Sequence, residues 1–233
     1  MSILPPVVII AGGLGTRIKQ LSGPLPKALV PVNGKPFIDH QLRLLAKNGV
    51  SDVVLCVGHG ADEIVQHVGD GNSFNLRVQY SFDGDVLLGT AGAVKKASEK
   101  LTKVFLVMYG DSYLDVEYQP IYKAFEDSSK QALMTVFRNE DRFIPSTVLF
   151  EDGAITGYSK EPGSRKMKHC DFGLSCYNSA AFEDMSEVPC DLARITERLI
   201  SSNQLAGFEV NRRFYEVGTP EGVHELEQYL LSR

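Results

Sequence analysis

Apolar residues fall along this 233-residue chain in short continuous runs separated by amphipathic stretches. The first run, residues 7–11, is apolar throughout, as expected for a strand covered on both faces. Residues 36–48 follow a helical period instead. Phe37, Ile38, Leu42 and Leu45 share one side, and Asn48-Gly49 supplies the stop. Residues 52–57 predict a second buried strand, 61–68 a short helix and 76–80 a third strand. A helix over about 90–100 leads into another apolar run at 104–108. Strands alternating with helices at this spacing imply a mostly parallel sheet with helices on both faces.

The second half changes rhythm. Residues 132–137 and 146–150 predict strands, and Asp152-Gly153 is a hairpin signal between Phe150 and Ile155. A strand over 171–177 and a helix over about 191–201 follow, then short strands near 205–209 and 213–217. Thr219 caps a last helix with Pro220 at its first position and a stripe of Val223, Leu226 and Leu230. The expectation is one α/β domain with a mixed-sheet insertion in its second half.

Composition narrows the function. The apolar fraction of 43% fits a globular core, and a net charge of −5 argues against a nucleic-acid-binding coat. That charge is unevenly spread, because no acid precedes Asp39 while Arg17, Lys19, Lys27 and Lys35 do. A second basic cluster, Lys160, Arg165, Lys166 and Lys168, includes only Glu161 as an acid. Such local clusters suit a small anionic ligand, or arise by chance. The four cysteines show no metal-like or paired spacing. The run at 7–11 is too short to span a bilayer and has no positive charge before it. A reduced, cytoplasmic protein without membrane attachment is expected.

The run at 7–11 leads directly into Gly12-Gly13-Leu14-Gly15-Thr16-Arg17. Ligands of open α/β sheets sit beyond the carboxyl ends of strands. Three glycines let backbone N–H groups approach phosphate oxygens, and Arg17 adds a guanidinium fork. A Walker loop would need Gly-Lys-Ser/Thr, which is absent. A dinucleotide fingerprint would need glycine at Ile18 and an acid where Gly58-His59 stand. Pro26 stiffens the chain just before Lys27, as suits a cation held at a fixed point.

Ala11–Arg17, Pro26-Lys27-Ala28 and Val32-Asn33-Gly34-Lys35-Pro36 together resemble the signature of the sugar-1-phosphate nucleotidylyltransferases, in a small form without a C-terminal β-helix. Ala28 replaces the usual second proline. The resemblance implies a Rossmann-like, mixed but mostly parallel sheet flanked by helices. It also implies a nucleotide-binding half at about 1–130 and a sugar-phosphate-binding half at about 131–233. Leu88-Gly89-Thr90-Ala91-Gly92-Ala93 looks like the segment that contacts the base. Gly110-Asp111 resembles the Gly-Asp that binds magnesium, and Glu216 stands where the family mostly has a second acid, Asp.

The implied partners are an NTP and a sugar 1-phosphate, with Mg²⁺ as cofactor; a homo-oligomer is left open. The sugar-phosphate oxygen attacks the α-phosphorus in line and pyrophosphate leaves. Arg17, Lys27 and Mg²⁺ offset the repulsion of two polyanions. The resemblance places Ala11, Gly12, Gly13, Gly15, Thr16, Gly89, Thr90, Ala91 and Gly110 on the nucleotide. It places Lys160 on the sugar phosphate, with Glu161, Asp171 and Gly173 as candidates for the sugar hydroxyls. Arg165, Lys166 and Lys168 read as a solvated loop. The pattern looks most like heptose- or hexose-1-phosphate guanylyltransferases, with uridylyl-, cytidylyl- or thymidylyltransferases as alternatives. A transferase for a non-sugar phosphate such as phosphocholine, and a non-catalytic binding module of the same fold, are the other readings.

Overall fold

In the computed structural model, residues 3–13, 25–84, 86–159, 166–186 and 188–233 are described. The apolar runs become the middle of a nine-stranded sheet. β1 (Val7–Ile10) is flanked by β4 (Asp52–Val57) and β6 (Val104–Tyr109), both parallel to it, and β5 (Arg77–Phe82) lies outside β4. Beyond β6 the sheet turns mixed. β11 (His169–Asn178) runs antiparallel between β6 and β8 (Ala132–Arg138). β12 (Leu205–Val210) is parallel to β8, and the hairpin of β9 (Val148–Glu151) and β10 (Ala154–Tyr158) closes that edge. The hairpin turns at Asp152-Gly153, both in the left-handed region as a two-residue turn of this kind needs.

Alternation along the central strands builds two cores. Val7, Ile9, Val53, Leu55, Leu106 and Met108 face one side, while Val8, Val54, Cys56, Phe105 and Val107 face the other. The first side is covered by α1 (Phe37–Lys47), α2 (Ala61–Val68) and α4 (Tyr118–Ser128). The second is covered by α3 (Gly89–Ser98) and α5 (Leu192–Ser201). Each fully buried Leu, Ile or Phe here contributes about 1.5–3 kcal/mol by leaving water. A third cluster lies under α6 (Pro220–Leu231), where Val223 and Leu226 meet Val30, Val32 and Phe37. Thr219 Oγ1 caps α6 by accepting from the Gly222 N–H at 3.1 Å.

Several expected boundaries move for local reasons. α4 has no counterpart among the predicted elements; its buried side is Tyr118, Ile121 and Phe125, with Pro120 in the first turn, where proline is tolerated. The strand expected from 146 begins at Val148, because Ser146 is tied back to Asp141 and Asn139. The strand near 213–217 contracts to β13 (Tyr215–Glu216), which pairs with β7 (Ser112–Tyr113) rather than with the main sheet. β2 (Pro31–Val32) and β3 (Lys35–Pro36) form a hairpin through Asn33-Gly34, both at positive φ. All four cysteines are free and buried, and burial pushes the Cys56 thiol up to about 12. No helix among the described residues is long and apolar enough to cross a membrane.

Candidate active site

The carboxyl ends of β1, β4 and β6 open into one cleft of about 380 Å³, closed on another side by the start of α3. At the end of β1 the Ala11 N–H donates to Cys56 O, carrying the chain into Gly12 and Gly13. At the end of β6 the next residue must be glycine. A Cβ on Gly110 would lie 2.6 Å from Ile10 O and 2.8 Å from Ala11 Cα. This close approach brings Gly12, Gly13 and Asp111 to the same opening.

Lys27 arrives from a different segment. Pro26 packs against Gly60, and a short 3₁₀ turn, Lys27–Leu29, follows it. The lysine ammonium donates to Asp111 Oδ2 at 2.5 Å, and both side chains are partly shielded, with exposures of 17% and 29%. β13 completes this corner: the Val217 N–H donates to Asp111 O at 2.9 Å, and a Cβ on Gly218 would come within 3.3 Å of Lys27 Nζ. Pairing of β13 with β7 places Glu216 opposite Ser112, one residue beyond Asp111. Glu216 is exposed and is not part of the cleft wall; its charge reaches Cys170 on β11.

The segment that the resemblance assigns to the base is locked to the second half of the chain. Gly89 has φ +74°, and a Cβ there would lie 2.5 Å from Cys190 O. That carbonyl accepts from the N–H groups of Ala91 and Gly92, satisfying donors that open α3. Thr90 Oγ1 accepts from the Leu192 N–H at 2.8 Å, and Cys190 donates back to Leu88 O. Gly89 and Thr90 line the cleft, whereas Ala91 is buried and its N–H is taken by Cys190 O.

Two acids in this wall were not singled out from the sequence. Asp83 is half-buried beside Gly12 and Gly58, and its carboxylate accepts from the Leu88 N–H. Burial raises its pKa, partly offset by that N–H and by Lys96. Asp191 projects from the residue after Cys190 and accepts from Thr90 Oγ1 at 3.4 Å. Both sit on loops whose sequence carries no motif; their only signal is position after a strand and before a helix.

On the side that the resemblance gives to the sugar phosphate, β11 breaks its register with β8 between Asp171 and Ser175. The bulge holds Gly173 at φ +96°, and its N–H donates to Asp171 Oδ1 at 2.8 Å. Burial pushes the Asp171 carboxyl up to about 6, with the Gly173 N–H working against it. Tyr109, Tyr158 and Tyr177 surround the same small cavity, and burial raises all three phenols. Lys166 and Lys168 are exposed, as a solvated loop requires. Gly15, Thr16, Arg17, Lys160, Glu161 and Arg165 lie outside the described residues.

The family model "Nucleotidyl transferase" matches residues 6–232. A D-glycero-alpha-D-manno-heptose 1-phosphate guanylyltransferase of Aneurinibacillus thermoaerophilus is 27% identical over 229 residues, covering 96% of this chain and 97% of that one. A UTP–glucose-1-phosphate uridylyltransferase of Synechocystis is 26% identical over 184 residues; the match takes in 73% of this chain and about half, 47%, of the relative. The crystal structure of HddC from Yersinia pseudotuberculosis complexed with GMP-PN superposes with a TM-score of 0.80 at 25% identity, over 97% of this chain and 100% of that one. A putative glucose-1-phosphate thymidylyltransferase from Bacillus anthracis, with a TM-score of 0.84 at 19% identity over 96% and 94% of the two chains, shares the fold. The matched span takes in the glycine turn, Lys27, Asp111 and β13 alike, and the chain belongs to the nucleotidyl transferase family.

Proposed function

We propose that the protein transfers a nucleotidyl group from an NTP to a sugar 1-phosphate, giving an NDP-sugar and pyrophosphate. The observation that carries this reading is the Lys27–Asp111 pair, held at 2.5 Å where Gly12-Gly13 and the end of β6 meet. In this reaction an oxygen of the sugar phosphate forms a bond to the α-phosphorus as the bond to the bridging oxygen of pyrophosphate breaks. The nucleophile is already an anion, so no side chain has to remove a proton. Lys27 holds positive charge against the phosphates, and Arg17 is assigned the same task. Gly12, Gly13, Gly15 and Thr16 are assigned to the phosphates, and Gly89, Thr90 and Gly110 to the nucleoside side.

The donor chemistry fits Mg²⁺. Asp83, Asp111 and Asp191 outnumber Lys27 among the charged groups of the described cleft wall, so a triphosphate there calls for added positive charge. The described residues contain no cluster of three or more His, Cys, Asp or Glu side chains suited to caging a metal. One or two carboxylates completed by phosphate oxygens and water are what Mg²⁺ takes. Asp111 would hold it, and Glu216, exposed and outside the cleft wall, is given the second place by the resemblance alone; when bound, the ion would neutralise charge on the transferring phosphates.

Guanine is the favoured base. The heptose guanylyltransferase of A. thermoaerophilus matches this chain along nearly its whole length. Asp83 also gives the cleft an acceptor, and guanine alone of the bases presents adjacent N1–H and N2–H donors to a carboxylate. The sugar would be a heptose or hexose, recognised by Lys160, Glu161, Asp171 and Gly173 in the second half. Pyrophosphate release measured with four NTPs and a series of sugar 1-phosphates, with and without Mg²⁺, tests the reading. Release with GTP and a heptose or hexose 1-phosphate supports it, and no release with any pair overturns it.

A further inference from the structure

One buried polar side chain has no part in the chemistry above. Gln41 is 1% exposed on the apolar side of α1, beside Ile38, Leu42 and Leu45. Its Nε2 donates to Tyr109 O at 3.0 Å and to Ser112 O at 2.8 Å, the two residues that bracket Gly110 and Asp111. These acceptors fix which way the amide points, because the rotated amide would set its oxygen against two carbonyl oxygens. The Oε1 atom is buried without a hydrogen-bond partner among the described residues.

A buried amide with an unmatched oxygen carries a cost that leucine or methionine would avoid, though either would leave the Tyr109 and Ser112 carbonyls without this donor. Packing therefore gives no reason for glutamine here. The turn it grips does. The Gly110 N–H is tied to Ile10 O and the Asp111 carbonyl to the Val217 N–H. Gln41 adds the carbonyls on either side, so β1, β13 and α1 hold the turn from three directions.

We infer that Gln41 is a positioning residue for Asp111: by holding the carbonyls of Tyr109 and Ser112 it sets the direction in which the Asp111 carboxylate leaves the turn, and so its place against Lys27 and Mg²⁺. The use made of Asp111 rests on the nucleotidyl-transfer reading; the grip on the turn does not.

Gln41→Met keeps the length and the apolar packing and removes both donors. The kcat for pyrophosphate release should fall by about tenfold or more, as displaced catalytic groups do, with KM for both substrates within about threefold. Leu42→Ala, which removes core packing from the same helix, is the control and should keep kcat. Mn²⁺ uptake by the protein beyond what GTP alone chelates, read from loss of the free-ion EPR signal against a protein-free GTP reference, should weaken by about tenfold in Gln41→Met and stay unchanged in Leu42→Ala. Gln41→Asn keeps the amide but draws it back by one methylene, and should show the same split.

Wild-type kcat and Mn²⁺ affinity in a folded Gln41 variant overturn the inference, and so does an equal loss in Leu42→Ala at matched thermal stability. Failure of both Gln41 variants to fold beside a folded Leu42→Ala assigns Gln41 to stability alone and also overturns it. The Mn²⁺ measurement needs no turnover. A wild type inactive with every substrate pair defeats the functional reading while the inference still stands or falls on metal binding, and a wild type that binds no Mn²⁺ defeats both.

Discussion

The two sides of the active site are built on opposite principles. On the side proposed for the nucleotide, the residues after β1 and the turn after β6 bring backbone and a partly exposed Lys27–Asp111 pair to the cleft. On the side proposed for the sugar, Asp171 sits inside a bulge of β11, ringed by three tyrosines, with its ionisation displaced by burial. Charge left near water suits polyanions whose own charge must be matched. A shielded carboxyl with a fixed N–H partner suits neutral hydroxyls, where direction matters more than charge.

The largest effect should come from the exposed side. Asp111→Asn should lower turnover by about 10³-fold, the scale of losing a group that stabilises transition-state charge, with circular dichroism and thermal midpoint near wild type. Near-normal turnover would remove Asp111 from the chemistry and leave the contrast without its first member. Gly110→Ala tests the backbone half of that side. Its new methyl must move Ile10 O or Ala11, so unfolding experiments should show a loss of about 1–3 kcal/mol, and nucleotide affinity should fall with it.

A smaller, selective effect is expected at Asp83. Asp83→Asn should reduce the preference for GTP over UTP by about 10–100-fold, the discrimination of one paired hydrogen-bonding edge, read from competitive binding. An unchanged preference would take base selection away from this carboxylate. The smallest effect belongs to the shielded side. With a folded pKa of about 6, above the unfolded value, Asp171 holds its proton better in the native state. Its contribution to stability is therefore full at acid pH and is lost as pH rises towards and through 6. The thermal midpoint of wild type minus that of Asp171→Asn, both without substrate, should fall between about pH 4 and 7. A flat difference would make Asp171 an ordinary carboxylate and erase the contrast between the two sides.

Much of the nucleotide side was legible because its features are contiguous. Buried parallel strands write themselves as apolar runs, and the glycine turn and Lys27 sit in short motifs, so β1, β4, β6 and the position of Asp111 follow from the sequence. What escaped depends on distant pairing. Gln41 is a single polar residue in an apolar stripe, and only the turn beneath it gives it meaning. Asp83 and Asp191 are loop acids that converge through the sheet order. α4 has an aromatic buried side with proline in its first turn and was not anticipated. The cap of Cys190 O on α3 is a backbone contact, which no side chain announces. That cap also takes up the N–H of Ala91, which the resemblance assigns to the base.

The same cap orders events as the chain is made. The glycine turn, Lys27 and Asp111 all emerge from the ribosome well before Cys190 does. Until Cys190 arrives, the N–H groups of Ala91 and Gly92 have no carbonyl to receive them, and Thr90 lacks the Leu192 N–H. Asp191, part of the cleft wall, is missing as well. A nascent chain stopped at 130 carries Lys27 and Asp111 but neither the Cys190 cap nor Asp191 of the cleft wall. The cleft wall is thus completed late in synthesis, when α5 docks beside α3.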